Sequence, residues 1–220
     1  MLTLIFDLDN TIYPVSSIAE EPFPPLFRIL EKPEYQMSPD ILFKAKQEIM
    51  RRPFQKVADE FGFPQQMVRE SLEVLRTMKF EGPMRPFDDY LTLKDIPAYR
   101  FLVTTGFYQL QMSKVKQLQI EQDFEKIFIS DPDQGNTTKK DIFEDILAHH
   151  APDPEKIIVI GDDPESEIKA ANELGIQTFL LDTNGAFGNV NSTFRANRLA
   201  ELPVFLETLG LLKNLPTEKS

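Results

Sequence analysis

The chain has 220 residues, of which 24 are basic and 35 acidic, so its formal net charge at pH 7 is −11. This length suits one domain with an insertion, or two small domains. The acidic balance argues against a nucleic acid polymer or an anionic membrane surface as a partner. The absence of cysteine excludes disulfides, thiol nucleophiles and cysteine-bound metal sites.

The N-terminal segment predicts a buried strand rather than a targeting sequence. Residues 2–6 form an apolar run that stops at Asp7, and this run is too short for a signal peptide and lacks a basic start. No apolar run approaches the roughly 20 residues that span a bilayer. We therefore expect a soluble, cytoplasmic protein whose first strand is buried on both faces of a parallel sheet.

Residues 14–97 interrupt the strand pattern and predict an all-helical insertion. Ser38 followed by Pro39 is typical of a helix start, and apolar spacing predicts further helices from Phe54 and after Pro64. Two proline-rich stretches, which we expect to be linkers, flank these helices; they are residues 22–25 and 82–86.

After the insertion, apolar runs and helical patterns alternate. The predicted strands are 100–104, 126–129, 156–160 and 177–181, and the predicted helices are 108–118, 138–148 and 164–174. The expected buried face of the first of these helices is Tyr108, Met112, Val115 and Leu118. Residues 184–193 predict a loop, and His149 and His150 are expected at the surface of a helix C-terminus.

The alternation predicts an α/β fold with a Rossmann-like core, in which helices sandwich a parallel sheet, and a small all-helical cap domain. We assign residues 1–13 and 98–212 to the core and residues 14–97, with the linkers, to the cap. Residues 213–220 are expected to form a frayed C-terminal tail.

Polar residues follow four of the predicted strands, at the edge where open α/β sheets bind ligands. They are Asp7, Asp9, Thr104, Thr105, Lys139, Lys140, Asp162 and Asp163. Structural interpretations also exist, since an aspartate after a strand is often a turn residue and Thr104 suits a strand. Asp163 precedes Pro164 and is best explained as a helix N-cap.

The two lysines are harder to explain structurally. Thr138 and Asp141 predict a capping box, which puts Lys139 and Lys140 at the first two helical positions. A cation there opposes the helix dipole, so we expect removal of the Lys139 charge to be neutral or slightly stabilising in the empty protein. A bound dianion would compensate for that charge, and a broken local rule often marks a functional site.

Phosphoryl transfer is the chemistry that suits these residue types. Two carboxylates alone repel a phosphate, but a divalent cation between them reverses the sign of the interaction, and Mg²⁺ prefers such oxygen ligands. A carboxylate can also act as a nucleophile and form an aspartyl-phosphate. Lysine and hydroxyl groups would then hold the phosphate oxygens.

The order of these motifs resembles the haloacid dehalogenase (HAD) superfamily. The motifs are Asp7-Leu8-Asp9-Asn10-Thr11, Thr104-Thr105-Gly106, Lys139 or Lys140, and Gly161-Asp162-Asp163 with Glu167. The resemblance covers the chain outside the insertion and implies a Rossmann-like core with Asp7 as the nucleophile. It implies that Asp9 is the general acid/base and binds Mg²⁺ through its carbonyl, and that Asp162 completes the metal site.

The same resemblance assigns phosphate binding to Thr104, Thr105 and one lysine. Lys139 is preferred for its spacing to Phe143, with Lys140 as the alternative, because the usual lysine–proline pair is absent. Glu167 stands where members with this form of the fourth motif carry aspartate.

Asp9 indicates the type of reaction, because family members that cleave carbon–halogen bonds lack an aspartate at that position. The cap after the first motif resembles the small-molecule phosphatases, and residues 9–14 resemble the pyrimidine 5′-nucleotidase-like subgroup. We therefore predict a Mg²⁺-dependent phosphatase that acts on a small phosphorylated metabolite, with a nucleoside monophosphate as one candidate substrate.

A phosphomutase of the same chemistry and a non-catalytic phosphate-binding module are the alternatives. Specificity would come from the cap, whose candidate contacts are Arg28, Lys44, Arg51 and Arg52, although isolated charges are usually solvated. The sequence gives no indication of an oligomeric state.

Overall fold

The computed structural model describes residues 1–18, 22–50, 52–151 and 153–212. Arg51 and the expected tail at 213–220 therefore lie outside the described residues. The core contains one sheet of six parallel strands in the order β3-β2-β1-β4-β5-β6. The strands are β1 (Thr3–Phe6), β2 (Tyr99–Thr105), β3 (Lys126–Ser130), β4 (Ile157–Gly161), β5 (Gln177–Leu181) and β6 (Phe194–Ala196).

Helices cover both faces of this sheet and build the insertion. They are α1 (Pro24–Leu30), α2 (Pro39–Ile49), α3 (Phe54–Glu60), α4 (Gln65–Thr77), α5 (Tyr108–Leu118), α6 (Lys139–His149), α7 (Lys169–Glu173) and α8 (Leu202–Thr208). The predicted fold class, a Rossmann-like parallel sheet between helices, is confirmed. The helices α1 to α4 all fall within residues 14–97, while the exact domain boundaries stay a prediction.

The sheet separates two hydrophobic clusters, because side chains alternate along each strand. On β1, Leu4 and Phe6 pack into the larger cluster, and Ile5 packs into the smaller one with Phe143 of α6 and Ala171 of α7. All four residues of β1 are buried. This accounts for the apolar run at the N-terminus, since a central parallel strand is covered on both faces.

Side-chain N-caps mark the starts of α2 and of the helical turn that follows β4. Ser38 accepts a hydrogen bond from the backbone of Ile41 at 3.4 Å, as expected for an N-cap. Asp163 likewise accepts from the backbone of Glu165 at 2.9 Å. The predicted helix at 164–174 is divided into a π-helical turn (Pro164–Ile168) and α7.

The structure corrects the sequence predictions in three places. Strand β6 and helix α8 were not predicted, and α1 begins inside the expected linker at 22–25. The predicted buried face of α5 is also partly wrong, since Tyr108 is exposed and the buried residues include Gln111 and Lys114. The loop at 184–193 is irregular and both histidines are exposed, as expected.

Candidate active site

The carboxyl ends of β1 and β4 mark the point where the strand order reverses, which is the usual ligand site of such sheets. Asp7 follows β1, and its backbone N–H extends the ladder by donating to the carbonyl of Ile160 at 2.9 Å. Asp162 follows β4. The topology therefore brings together two carboxylates that are 155 residues apart in the sequence.

Helix α6 brings a lysine to this pair. Thr138 and Asp141 form the expected capping box, so the helix starts at Lys139. The Lys139 Nζ atom is buried and donates to Asp7 Oδ1 at 2.6 Å and to Glu167 Oε2 at 2.7 Å. Burial alone would lower the pKa of Lys139, but the charges of Asp7 and Glu167 outweigh it and raise that pKa above its usual value.

Lys140 occupies a different environment, since it points outward and binds Glu173 at 2.8 Å on the protein surface. The contacts of Lys139 also correct the expectation that its charge is unfavourable in the empty protein. Its contacts with two buried carboxylates outweigh the helix dipole, because a buried charge without a partner is far more costly than a dipole contact.

Glu167 is positioned by the π-helical turn and by a glycine. It is 1% exposed, and its Oε1 atom accepts from the backbone N–H of Asp163 at 2.7 Å. The side chain lies over Gly161, where a Cβ atom would be only 2.2 Å from Oε1. Only glycine fits beneath this carboxylate, and π-helical turns frequently occur at functional sites.

Asp7, Asp162 and Glu167 offer carboxylate oxygens that lie within 4.8 Å of one another. Burial raises the pKa of Asp7 to about 7, with further contributions from Glu167 and Asp9 and opposition from Lys139. Burial also raises the pKa of Asp162 to about 8, with contributions from Asp7 and Glu167. Three ionised carboxylates would carry more negative charge than Lys139 can neutralise, so without a further cation Asp7 and Asp162 tend to keep their protons. An oxygen-only donor set with this excess fits Mg²⁺.

Asp9 lies beside this cluster and is held by three side chains. Lys114 Nζ donates to its two oxygens at 2.8 and 3.1 Å, Gln111 Nε2 donates to Oδ2 at 3.0 Å, and the Tyr13 hydroxyl donates to Oδ1. Burial alone would raise the pKa of Asp9, but the charge of Lys114 and these hydrogen bonds hold it below the usual value.

Thr104 and Thr105, at the end of β2, differ in their surroundings. Thr104 is buried, and its hydroxyl accepts from Gln111 Nε2 at 2.7 Å, while Thr105 is exposed and accepts from the same nitrogen through its backbone carbonyl at 3.0 Å. Gln111 thus connects the strand end of β2 to Asp9.

Sequence reasoning missed Tyr13, Gln111 and Lys114. A signal for the latter two existed, because Gln111, Lys114 and Leu118 follow the i, i+3, i+7 spacing of a buried helix face. A lysine and a glutamine at buried positions of that pattern indicate a polar partner in the interior. The identity of that partner was not readable from local sequence.

The helical insertion contacts the core next to the site. Helix α4 packs on α5, and Arg76 of α4 forms a two-pronged ion pair with Asp133, in the loop after β3, at 2.6 and 2.8 Å. Three of the four candidate cap contacts lie among the described residues. Arg28 and Lys44 are exposed, and Arg52 is paired with two glutamates of the insertion.

Comparisons with known proteins agree with this arrangement. A family profile described as haloacid dehalogenase-like hydrolase matches residues 4–181. The chain is 25% identical over 190 residues to a glyceraldehyde 3-phosphate phosphatase of Methanopyrus kandleri, covering 80% of this chain and 81% of that protein.

Two solved structures show the same fold. A haloacid dehalogenase-like hydrolase of Streptococcus pneumoniae is similar with a TM-score of 0.69 and 20% identity, over 94% of this chain and 98% of that one. The HAD-hydrolase YfnB of Bacillus subtilis, bound to magnesium, is similar with a TM-score of 0.63 and 19% identity, over 93% and 98%.

The chain therefore belongs to the haloacid dehalogenase-like hydrolase family, and it is a hydrolase related to phosphatases of that family. In the part of the chain that the structure describes, no helix is long and apolar enough to cross a membrane.

Proposed function

We propose that the protein is a Mg²⁺-dependent phosphatase that hydrolyses a small phosphate monoester through an aspartyl-phosphate on Asp7. One observation carries the proposal: a buried carboxylate at the end of the central strand contacts the ammonium of Lys139 and lies within 4.8 Å of two more carboxylates. A structural ion pair needs one carboxylate, whereas a phosphoryl-transfer site needs a nucleophile, a cation site and a phosphate-binding lysine together.

Each proposed site residue has its own role in the reaction. An Asp7 oxygen attacks phosphorus as the ester P–O bond breaks, and Asp9 gives a proton to the leaving oxygen. Against the effect of burial, Lys114 keeps the pKa of Asp9 in the empty protein below its usual value, so Asp9 would take up this proton as the negatively charged phosphate ester binds beside it and raises that pKa. Water then attacks phosphorus, Asp9 takes a proton from that water, and the bond between phosphorus and the Asp7 oxygen breaks, which releases inorganic phosphate and regenerates the Asp7 carboxylate. Lys139 and the hydroxyl of Thr104 hold phosphate oxygens during both steps, with Thr105 as a further contact.

The metal would be held by Asp7, Asp162 and the backbone carbonyl of Asp9. When bound, Mg²⁺ supplies positive charge that offsets repulsion between the phosphate and the carboxylates. Support comes from the oxygen-only donor set and from the bound magnesium of the Bacillus subtilis relative. Glu167 contacts Lys139 and the backbone of Asp163, so we assign it to holding that lysine in place.

The substrate is a small phosphorylated metabolite. The similarity to a glyceraldehyde 3-phosphate phosphatase supports triose phosphates as one class, and the motif at residues 9–14 supports nucleoside monophosphates as another. A mutase would move the phosphoryl group to a second sugar hydroxyl, whereas a phosphatase releases it as inorganic phosphate.

The test is a phosphate-release assay of the purified chain with Mg²⁺ on triose phosphates, sugar phosphates and nucleoside monophosphates. Asp7→Asn should abolish turnover without loss of fold, because an amide is a very weak nucleophile toward phosphorus. Asp59→Asn, at an exposed position of α3, is the matched control and should retain full activity. Activity of Asp7→Asn within a few-fold of the wild type would refute the assignment of the nucleophile.

A further inference from the structure

Gln111 is a buried amide that connects two parts of the site. It is 2% exposed and lies in the first turn of α5, directly after the strand end that carries Thr104. Its Nε2 atom is 2.7 Å from Thr104 Oγ1, 3.0 Å from Asp9 Oδ2 and 3.0 Å from the carbonyl of Thr105. One nitrogen therefore determines the spacing between the hydroxyl and the carboxylate.

One of the two polar atoms of this amide is left unsatisfied. Its Oε1 atom is buried and has no hydrogen-bond partner among the described residues. An acceptor left in that state costs stability, which offsets part of what the contacts of Nε2 contribute. Gly106 provides the space, since a Cβ atom there would lie 3.1 Å from the Gln111 side chain.

The direction of the hydrogen bonds assigns a role to the nitrogen. The amide nitrogen has two protons for these three neighbours and cannot itself accept a hydrogen bond. The Thr104 hydroxyl therefore does not donate its single proton to Gln111, and that proton is free to be donated to a different group. On the other side, Asp9 Oδ2 accepts from Gln111 and Lys114, while Oδ1 accepts from Lys114 and Tyr13. Rotation of either group would break a contact with the same amide.

We propose that Gln111 is a positioning residue, which directs the Thr104 hydroxyl proton toward the phosphate and fixes the Asp9 carboxyl at the distance needed to reach the leaving oxygen. The inference rests on the proposed phosphatase activity and extends it to a residue outside the four motifs. Gln111 itself contacts neither the metal nor the phosphate in this scheme, and it acts only through Asp9 and Thr104.

The experiment compares Gln111→Met and Gln111→Leu, which keep the volume and remove the donor, with Gln109→Met, an exposed position on the same helix. The readouts are kcat/KM for an alkyl phosphate and for p-nitrophenyl phosphate, the calorimetric Kd of inorganic phosphate with Mg²⁺, and Tm. Both Gln111 variants should lose about 10- to 100-fold in kcat/KM for the alkyl phosphate. The loss should be smaller for p-nitrophenyl phosphate, whose leaving group needs little protonation.

The phosphate affinity of both variants should weaken. Tm checks that the variants fold, since the substitution removes the unpaired Oε1 acceptor but also the donor that satisfies Asp9 Oδ2 and the Thr105 carbonyl. In a Thr104→Ala background, Gln111→Met should weaken phosphate binding no further, since the hydroxyl that it orients is absent. Equal losses for the two substrates, or unchanged kinetics in the folded variants, would overturn the positioning role. A wild type that releases no phosphate from any ester would instead refute the proposed function.

Discussion

Two adjacent lysines at the start of α6 occupy opposite environments. Lys139 contacts the buried carboxylates of Asp7 and Glu167, and Lys140 pairs with Glu173 at the surface. The difference follows from helix geometry, because successive residues lie about 100° apart around the axis and only one can face the sheet. A shift of one residue along the helix therefore separates the proposed phosphate ligand, Lys139, from an ordinary surface charge, Lys140.

We predict that Lys139→Ala costs roughly 2–4 kcal/mol of transition-state stabilisation, the size typical of one preorganised electrostatic contact. It should also lower the free energy of unfolding of the metal-free protein by about 3 kcal/mol, because two buried carboxylates lose their partner. Lys140→Ala is the control and should change either quantity by less than about 1 kcal/mol, as for other surface ion pairs. Measurement of kcat/KM and chemical denaturation of both variants tests this prediction. A large loss of kcat/KM in Lys140→Ala, with Lys139→Ala unaffected, would exclude Lys139 as the phosphate ligand.

The π-helical turn after β4 shows how an element can serve a site. A regular α-helix from Pro164 onward would present a different set of side chains to the strand end, whereas the wider turn brings Glu167 over Gly161. The carboxylate then accepts one hydrogen bond from the backbone N–H of Asp163 and another from Lys139 Nζ. Strand, turn and helix α6 are therefore joined through one side chain.

We predict that Gly161→Ala displaces Glu167, because the new methyl group would lie 2.2 Å from its carboxylate oxygen. The variant should lose about 1–3 kcal/mol of stability through overcrowding and at least about 10-fold in kcat/KM through release of Lys139. Gly188→Ala is the matched control, since a Cβ atom there meets nothing within 4 Å among the described residues. If Gly161→Ala unfolds and turns over substrate like the wild type, Glu167 does not need its observed position.

The site makes the stability of the whole molecule depend on pH and metal. The pKa values of Asp7 and Asp162 are raised from 3.8 to about 7 and about 8 in the folded protein. The folded state therefore holds more protons than the unfolded state above about pH 4, and these two groups reduce stability as the pH rises toward about 8. Each can contribute at most about 1.4 kcal/mol per pH unit.

We predict that Mg²⁺ raises Tm more at about pH 8 than at about pH 5, because the metal needs the ionised carboxylates and protons compete with it at low pH. Thermal unfolding in EDTA and in Mg²⁺, across this pH range, measures the effect. Asp162→Asn should flatten the pH dependence in EDTA and largely remove the stabilisation by Mg²⁺. The same Tm shift at both pH values, in the wild type, would contradict the metal site.

Features that depend on neighbouring residues could be predicted from the sequence, and so could the edge of the sheet at which the motifs lie. The apolar run at 2–6, the N-cap Asp163 and the capping box of Thr138 each depend on neighbours a few residues away, and strand ends in a parallel sheet must share one edge. These rules indicated the α/β fold and a cluster of Asp7, Asp162 and one of two lysines. The family resemblance added the preference for Lys139, and the catalytic roles stay predictions.

Only the tertiary structure decided which polar groups surround Asp9. Gln111 and Lys114 bond to a carboxylate more than 100 residues away, and α5 turns them inward because of how it packs on the sheet. The short strand β6 likewise forms because β5 offers its edge as a partner. Local propensity contains no information on such distant partners, and the free energy of a buried amide or ammonium depends almost wholly on them.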